Sequence, residues 1–227
     1  MSTITKVKSS ATRRLVTGIL AAVPVLALGV VAGMPSAQAA TQSLSYTIHK
    51  DGDPIGKEIY TINHDGDKTT VNLTADSQVQ VLFLNFHYHH QRTETWTGSH
   101  LDRMVADTDD DGTKHHVEAQ TVADGVKVVA DGRDTTLPAD ALPLTMWTRA
   151  VVVEHSVLYS VENDDSPYKV SIRDLGTETV KTGQGAVAAE HYAIAGDVER
   201  DLWFGSDGTL VEAAFHRRGF LITIVRD

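Results

Sequence analysis

The stretch HYHHQRTETWTGSHLDRMVADTDDDGTKHHVEAQTV, residues 87–122, contains three segments of strand length that are separated by two pairs of turn-forming residues. The first pair is Gly98-Ser99 and the second is Asp111-Gly112. Asp-Gly accepts the positive φ angles of a tight turn, and between alternating segments it is a strong signal for a β-hairpin. Two-residue turns at both pairs align residues 87–97, 100–110 and 113–122 as adjacent antiparallel strands.

This alignment predicts which side chains share a face of the sheet. One face is charged, places Glu94 opposite Arg103, and is expected to be exposed to solvent. The other face is less polar, and we expect it to form the inner side, with Met104, Ala106 and Val117. A shift of one residue at either turn would move the side chains of a whole strand to the opposite face, so the assignment depends on the turns.

The same alignment suggests a metal site. His90, Asp107 and His116 fall in one row across the three strands, so that two imidazoles flank a carboxylate. Such a set, with open coordination positions, suits Zn, Cu or non-haem Fe. The simpler interpretation is that Asp107 accepts hydrogen bonds from the histidines on a solvated face, and the sequence leaves both interpretations open.

A calcium site is a third interpretation of this region. Its acidic residues fit the EF-hand spacing D-x-D-x-D-G-x₅-E. The fitting residues are Asp107, Asp109, Asp111, Gly112 and Glu118. Three features disfavour it: Lys114 lies between two expected liganding positions, there is no second loop to pair with, and the exit segment is short and β-branched. An acidic hairpin tip is the simpler expectation, and calcium is a weaker candidate than Zn or Cu.

The remainder of the chain predicts an all-β fold. Six Asp-Gly dipeptides, which begin at Asp51, Asp65, Asp111, Asp124, Asp131 and Asp207, separate short segments rich in Val, Ile, Thr and Tyr. We therefore predict a mainly antiparallel meander of ten or more strands that forms a curled sheet or half-open β-barrel. One short helix is expected within residues 137–156, where apolar residues recur near helical spacing.

The first 39 residues have the pattern of a cleavable export signal. Four basic residues precede the apolar run LVTGILAAVPVLALGVVAGM, and Ala37-Gln38-Ala39 forms an A-x-A cleavage site. Without these four bases, the 20 lysines and arginines fall to 16 against 30 acidic residues, a net charge of −14. We expect a periplasmic or extracellular protein with one β-rich domain, residues 40–227, that neither binds nucleic acid nor inserts into a membrane after signal cleavage.

Several motifs resemble an uncharacterised family of exported bacterial β-sheet proteins that is known only as a domain of unknown function. The motifs are DGDPIG (51–56), ETW (94–96), DDG (110–112), Trp147, HYAIAG (191–196), DLWFGSDGTLV (201–211) and FLITIV (220–225). The resemblance spans nearly all of residues 40–227. It implies a curled antiparallel sheet and a location in the cell envelope, and it supplies no catalytic residue.

The function that we expect is non-catalytic binding of a small apolar molecule or an envelope partner, because a half-open barrel leaves a concave apolar surface. The expected lining includes Met104, Ala106, Val117 and Trp147. One alternative is a metal-binding protein or metal-dependent enzyme that uses His90, Asp107 and His116. Another is a structural component of a secreted assembly. The sequence has no cysteine and no G-x-S-x-G, P-loop, G-x-G-x-x-G or H-E-x-x-H motif.

Overall fold

In the computed structural model, the described residues are 40–81, 83–153, 157–163 and 166–227. The predicted export signal, residues 1–39, lies outside these ranges. The strands are β1 Ala40–Lys50, β2 Asp53–Asp65, β3 Lys68–Val81, β4 Leu84–Thr97, β5 His100–Asp110, β6 Thr113–Val122, β7 Gly125–Ala130, β8 Arg133–Leu137, β9 Leu142–Pro143, β10 Val157–Tyr159, β11 Pro167–Thr182, β12 Gly185–Gly196, β13 Arg200–Phe204, β14 Leu210–Arg217 and β15 Phe220–Arg226. A short helix, α1, spans Ala150–Val153. None of the helical segments in these ranges is long and apolar enough to cross a membrane.

The strands form one sheet of fifteen in which almost every strand pairs with its neighbour in sequence. The order runs from β8 down to β1, continues with β15, and then descends to β9. The first and last strands therefore pair in the middle of the sheet, where Tyr46 faces Arg226 and Lys50 faces Ile222. The β9–β10 pair is parallel and the other pairs are antiparallel. The predicted antiparallel meander with one short helix is confirmed.

The sheet has to curl because its two edge strands are joined by a short link. Only residues 138–141 connect β8 at one edge with β9 at the other. In a flat sheet of fifteen strands the edges would lie roughly 67 Å apart, at about 4.8 Å per strand spacing. The five steps from Leu137 to Leu142 span at most about 18 Å. The edges therefore approach each other without pairing, and the barrel stays open.

The chain beyond this link lies against the concave face of the sheet. Arg92 of β4 donates a hydrogen bond from Nη2 to Thr145 Oγ1 at 3.1 Å. Trp147 Nε1 donates to Glu94 Oε2 at 2.7 Å, and the rings of Trp96 and Trp147 meet edge to face with centroids 5.7 Å apart. The interior of the curl is thus partly filled by the inner segment, residues 144–147, which follows the link and β9.

The Asp-Gly turns form as the sequence predicts. At the β5–β6 hairpin, Asp111 has a φ of 56° and Gly112 a φ of 87°, which are the positive values of a tight type I′ turn. Asp51-Gly52 and Asp131-Gly132 adopt the same pattern. The other three Asp-Gly dipeptides also lie in or beside turns between consecutive strands. The register of β5 with β6 is likewise confirmed, because Asp107 faces His116.

The predicted register of β4 with β5 is wrong beyond the first two pairs. Trp96 faces Leu101 as expected, but Thr95 faces Arg103, which leaves Asp102 as the extra residue of a β-bulge. The bulge has a physical cause: Leu101 and Met104 are both buried, and residues three apart cannot share a face of a regular strand. Its consequence is that His90 faces Thr108 rather than Asp107.

The bulge reverses the expected faces of β4. The inward side chains are His90, Arg92, Glu94 and Trp96, all buried. The sequence analysis placed Glu94 on an exposed face opposite Arg103, and that expectation is wrong. On β5 and β6 the inner face is the expected one, and Met104, Ala106 and Val117 are fully buried there.

Candidate functional site

A cavity of about 360 Å³ lies on the concave side of the sheet. Its wall is formed largely by aliphatic and aromatic side chains of β1–β4, β14 and β15, and by the inner segment around Leu144 and Met146. The apolar lining includes Ile48, Leu73, Ala75, Phe215, Ile222 and Ile224. The alternation of side chains along each strand produces this lining, since one face of every strand points into the curl.

The cavity reaches solvent at one end of the sheet. Lys50, Arg218 and Phe220 line it and lie beside the β1–β2 and β14–β15 turns. Phe220 is 37% exposed and Arg218 is exposed as well. Lys50 Nζ lies 4.4 Å from the centroid of the Phe220 ring. A small molecule can therefore enter from this end.

A buried ion pair on β4 borders the inner part of the cavity. Arg92 Nε lies 2.7 Å from Glu94 Oε1, with angles outside those of a hydrogen bond, and both side chains are almost completely buried. Glu94 Oε2 accepts hydrogen bonds from Trp96 Nε1 at 2.8 Å and Trp147 Nε1 at 2.7 Å. Together with the bond from Arg92 to Thr145, these contacts fix the inner segment against β4. Each charge is compensated, as burial requires.

His90 extends this network in its neutral form. Burial, assisted by the charge of Arg92, lowers the pKa of His90 to about 3. Arg92 Nη1 lies 3.2 Å from His90 Nε2, so Nε2 accepts a hydrogen bond from the guanidinium. The proton is therefore assigned to Nδ1, which donates to Thr108 Oγ1 at 2.8 Å. A histidine so held serves as a structural hydrogen-bonding group.

A second charged cluster ties distant strands together across the curl. Arg217 of β14 donates to Glu162 Oε2 at 2.9 Å and to Asp110 Oδ2 of β5 at 3.1 Å. Its guanidinium also lies 4.7 Å from the centroid of the Tyr88 ring. Arg218 donates to the same Asp110 oxygen at 2.9 Å. Since β5 and β14 are six positions apart in the sheet, these contacts stabilise the curl at the open end of the cavity.

Glu58 is a buried carboxyl group on the cavity wall. It is 4% exposed, and its Oε1 atom has no hydrogen-bond partner among the described residues. Burial, the largest influence, raises the pKa of Glu58, whereas the Tyr60 hydroxyl and the charges of Arg92 and Arg200 oppose that rise. Nothing in the sequence distinguishes Glu58 from the other carboxylates, because its burial follows from the long-range curl.

The four residues predicted to line a ligand site are all inside the curl but do not line this cavity. Met104, Ala106 and Val117 belong to the packed core. Trp147 is half-buried and donates its hydrogen bond to Glu94. The neighbouring Met146 lines the cavity instead. The missed lining lies mainly on β1–β3, β14 and β15, whose inner faces could have been read from the alternation in LSYTIHK and FLITIV.

The predicted metal row is divided between the two faces of the sheet. His90 points inward, whereas His116 is on the outer face, where its Nδ1 lies 2.7 Å from Asp107 Oδ1 and its Nε2 3.2 Å from Glu118 Oε1. These two carboxylates raise the pKa of His116. The structure thus brings together Asp107 and His116 but not His90. Within the described ranges no group of three or more His, Asp and Glu side chains is placed to hold a metal ion.

The acidic segment predicted as an alternative calcium loop is a β-hairpin. Asp107 and Asp109 lie on β5, and Glu118 lies on β6, with the turn at Asp111-Gly112 between the strands. Asp109 faces Lys114 across the hairpin. Its Oδ1 atom accepts a hydrogen bond from the Gly112 backbone N–H at 2.8 Å. The carboxylates are spread along two strands, as expected for an acidic hairpin tip.

The fold and cavity define a β-barrel-like protein, and comparison of its sequence with known families identifies the family to which it belongs. Residues 46–227 match the family described as Domain of unknown function (DUF6134), and the chain belongs to that family. The fold is similar to a crystal structure of a beta-barrel-like protein of the domain of unknown function DUF1849 from Brucella abortus, with a TM-score of 0.63 and 13% sequence identity. That match covers 82% of this chain and 95% of the other. No curated protein sequence matches the chain. The resemblance to a family of unknown function is confirmed.

Replacement of Glu94 tests the buried ion pair. In Glu94→Gln the Arg92 charge stays buried without its partner, so the free energy of unfolding should fall by about 3–5 kcal/mol. At roughly 2–4 °C per kcal/mol, the midpoint of thermal unfolding should fall by about 6–20 °C. The control is Glu118→Gln, which breaks the exposed Arg103–Glu118 pair and should cost less than about 1 kcal/mol. Equal effects of the two substitutions would contradict the proposed role of Glu94.

Replacement of His90 tests its buried, neutral state. Its pKa is about 3 in the folded protein against 6.5 ordinarily, so between these values the unfolded chain binds a proton that the folded protein excludes. This contribution to stability is complete above about pH 6.5 and is lost as the pH falls towards 3. His90→Gln should flatten the acid-side slope of the unfolding free energy by up to about 1.4 kcal/mol per pH unit, measured by urea denaturation.

The control for this experiment is His116→Gln. Since its two carboxylate neighbours raise the pKa of His116, its contribution is present at low pH and is lost as the pH rises through the folded-state value. The change in slope should therefore have the opposite sign and appear above about pH 6.5, with the acid-side slope unchanged. An unchanged acid-side slope in His90→Gln would show that His90 is not buried in its neutral form.

Proposed function

We propose that the protein is a binding protein that holds a small, largely apolar molecule in the cavity of its curled sheet. The observation that carries the proposal is the cavity itself, which is apolar along most of its wall and accessible at one end. Its volume of about 360 Å³ lies within the range of roughly 300–1,000 Å³ that is usual for small-molecule sites.

The architecture supports a preformed site. The buried contacts of Arg92 and Glu94 hold the inner segment in place below the cavity, and Arg217 fixes strands at its open end. A wall that is already ordered loses little conformational entropy when a ligand binds. Each methylene group transferred from water to this wall contributes about 0.8 kcal/mol, which corresponds to roughly fourfold in affinity.

The location that we propose is outside the cytoplasm, in the periplasm or the medium. Support comes from the basic start, apolar run and A-x-A site of residues 1–39. The net charge of −14 on residues 40–227 keeps such a protein soluble and away from anionic lipid surfaces. In this location a cavity protein can hold a poorly soluble molecule in water.

A series of uncharged n-alkanols tests the proposed function. Displacement of the neutral fluorophore N-phenyl-1-naphthylamine should show affinities that rise about fourfold per methylene and then level off when the chain outgrows the cavity. Ser77→Phe should weaken binding at least about tenfold, because Ser77 is half-buried on the cavity wall and a phenyl ring there occupies ligand space.

The matched control is Gln78→Phe. Gln78 is the next residue on β3, is exposed, and points away from the cavity, so the same ring there should leave the affinity unchanged. Absence of binding by the wild-type protein, or equal effects of the two substitutions, would contradict the proposal.

A further inference from the structure

The cavity concentrates positive charge in an acidic protein. Its described lining includes five basic residues, namely Lys50, Arg92, Arg200, Arg217 and Arg218. The acidic members are three, namely Glu58, Asp110 and Glu162. Residues 40–227 as a whole have 16 basic against 30 acidic residues. The described lining by itself thus has a net charge of +2, opposite in sign to that of the rest of the chain, and which of its basic groups is free to meet an anion depends on their partners.

Four of the five basic groups already have a carboxylate partner. Arg92 pairs with Glu94, and Lys50 pairs with Asp51 at 3.2 Å. Arg217 and Arg218 share Asp110, and Arg217 also pairs with Glu162. The fifth, Arg200 at the start of β13, forms no ion pair with any described residue. Arg200 is therefore the one basic group of the described lining without an ion-pair partner, and its charge interacts with those of Glu162 and Glu58.

The guanidinium of Arg200 packs against an aromatic ring, and two of its three nitrogens lack acceptors in the part of the chain that the structure describes. Its central carbon lies 3.9 Å from the centroid of the Phe215 ring, a cation–π contact that holds the group against the cavity wall. Its Nε and Nη1 atoms are shielded from water and have no hydrogen-bond partner among the described residues. Burial lowers the pKa of Arg200. Buried donors without acceptors are costly, so a small shift of the Arg200 side chain that lets a ligand acceptor reach them would remove that cost.

We propose that the ligand is an amphipathic anion whose carboxylate accepts hydrogen bonds from Arg200 while its aliphatic or aromatic body packs against the apolar wall. This inference rests on the proposed function and names its ligand class. The adjoining apolar surface comes from Phe215, Ile222 and Ile224 of β14 and β15. A single negative charge is sufficient, because the other four basic groups are already paired.

The carboxyl group of Glu58 affects how tightly an anion can bind in the cavity. This group is buried on the same wall, and the charge of Arg200 acts on it. A bound anion repels the ionised form of Glu58, so an anion should bind more tightly when Glu58 is protonated, the form that its burial favours. Ionised Glu58 thus disfavours anions that lack enough apolar surface to offset the repulsion.

The test compares three ligands with the same alkyl chain on the protein purified after expression of the full chain. Isothermal titration calorimetry near neutral pH gives the affinities of decanoate, decanol and decyltrimethylammonium. We expect decanoate to bind at least about tenfold more tightly than decanol, since a hydrogen bond to a charged group contributes that much or more. The cation should bind most weakly.

Substitutions then test which residue is responsible for the preference for decanoate over decanol. In Arg200→Gln the preference for decanoate over decanol should fall below about threefold. Arg200→Lys retains the charge but loses the planar donors, so it should keep only part of the preference. Arg103→Gln, which removes one positive charge from the exposed outer face, should keep all of it. Glu58→Gln should strengthen decanoate binding alone, at a pH at which Glu58 is ionised.

The outcomes separate this inference from the proposed function. Equal binding of decanoate and decanol by the wild-type protein overturns the inference and leaves apolar binding intact. A preference that survives in folded Arg200→Gln also overturns it. If Arg200→Gln does not fold, the Lys variant and the wild-type ligand series decide. Failure of all three ligands to bind contradicts the proposed function and this inference together.

Discussion

The four-residue link between the edge strands is the constraint on which the rest of the structure depends. Strand pairing along the chain would otherwise allow an open sheet with edges roughly 67 Å apart. Residues 138–141 join those edges, so the sheet must bend until β8 and β9 come together. The same geometry brings the segment that follows onto the concave face. Curl, inner segment and cavity are thus three consequences of one short connection, and they require no contribution from disulfides, since the chain has no cysteine.

The buried ion pair explains how the inner segment is positioned rather than why the sheet is stable. Taking Arg92 and Glu94 out of water costs several kcal/mol per ion, and well-packed apolar residues often replace such pairs without loss. What the pair provides is direction, because one partner binds Thr145 and the other binds Trp147. An apolar contact at these positions would lack that geometric preference. The cavity keeps its shape because the segment below it has one favoured position.

Much of the fold could be predicted from the sequence, because it depends on local signals. The Asp-Gly turns and the alternating segments indicated a curled antiparallel sheet, and the β5–β6 register followed from one turn. The faces of β4 could not be predicted from its turn alone, since the bulge at Asp102 shifts the register by one residue. Its signal was present in the three-residue spacing of Leu101 and Met104, which resembles helical periodicity when considered by itself. The sequence did not indicate a role for Arg200, because its surroundings are formed by strands that are distant from one another along the chain.

The central claim is that the curled sheet encloses a ligand site with apolar walls and one anion-binding group. The most direct measurement is a crystal structure of the protein grown with decanoate. We expect electron density for the alkyl chain between β1–β4 and β14–β15, with the carboxylate within hydrogen-bonding distance of the Arg200 guanidinium. A cavity without ligand density at a saturating decanoate concentration, or a ligand seated with its carboxylate away from Arg200, would contradict it.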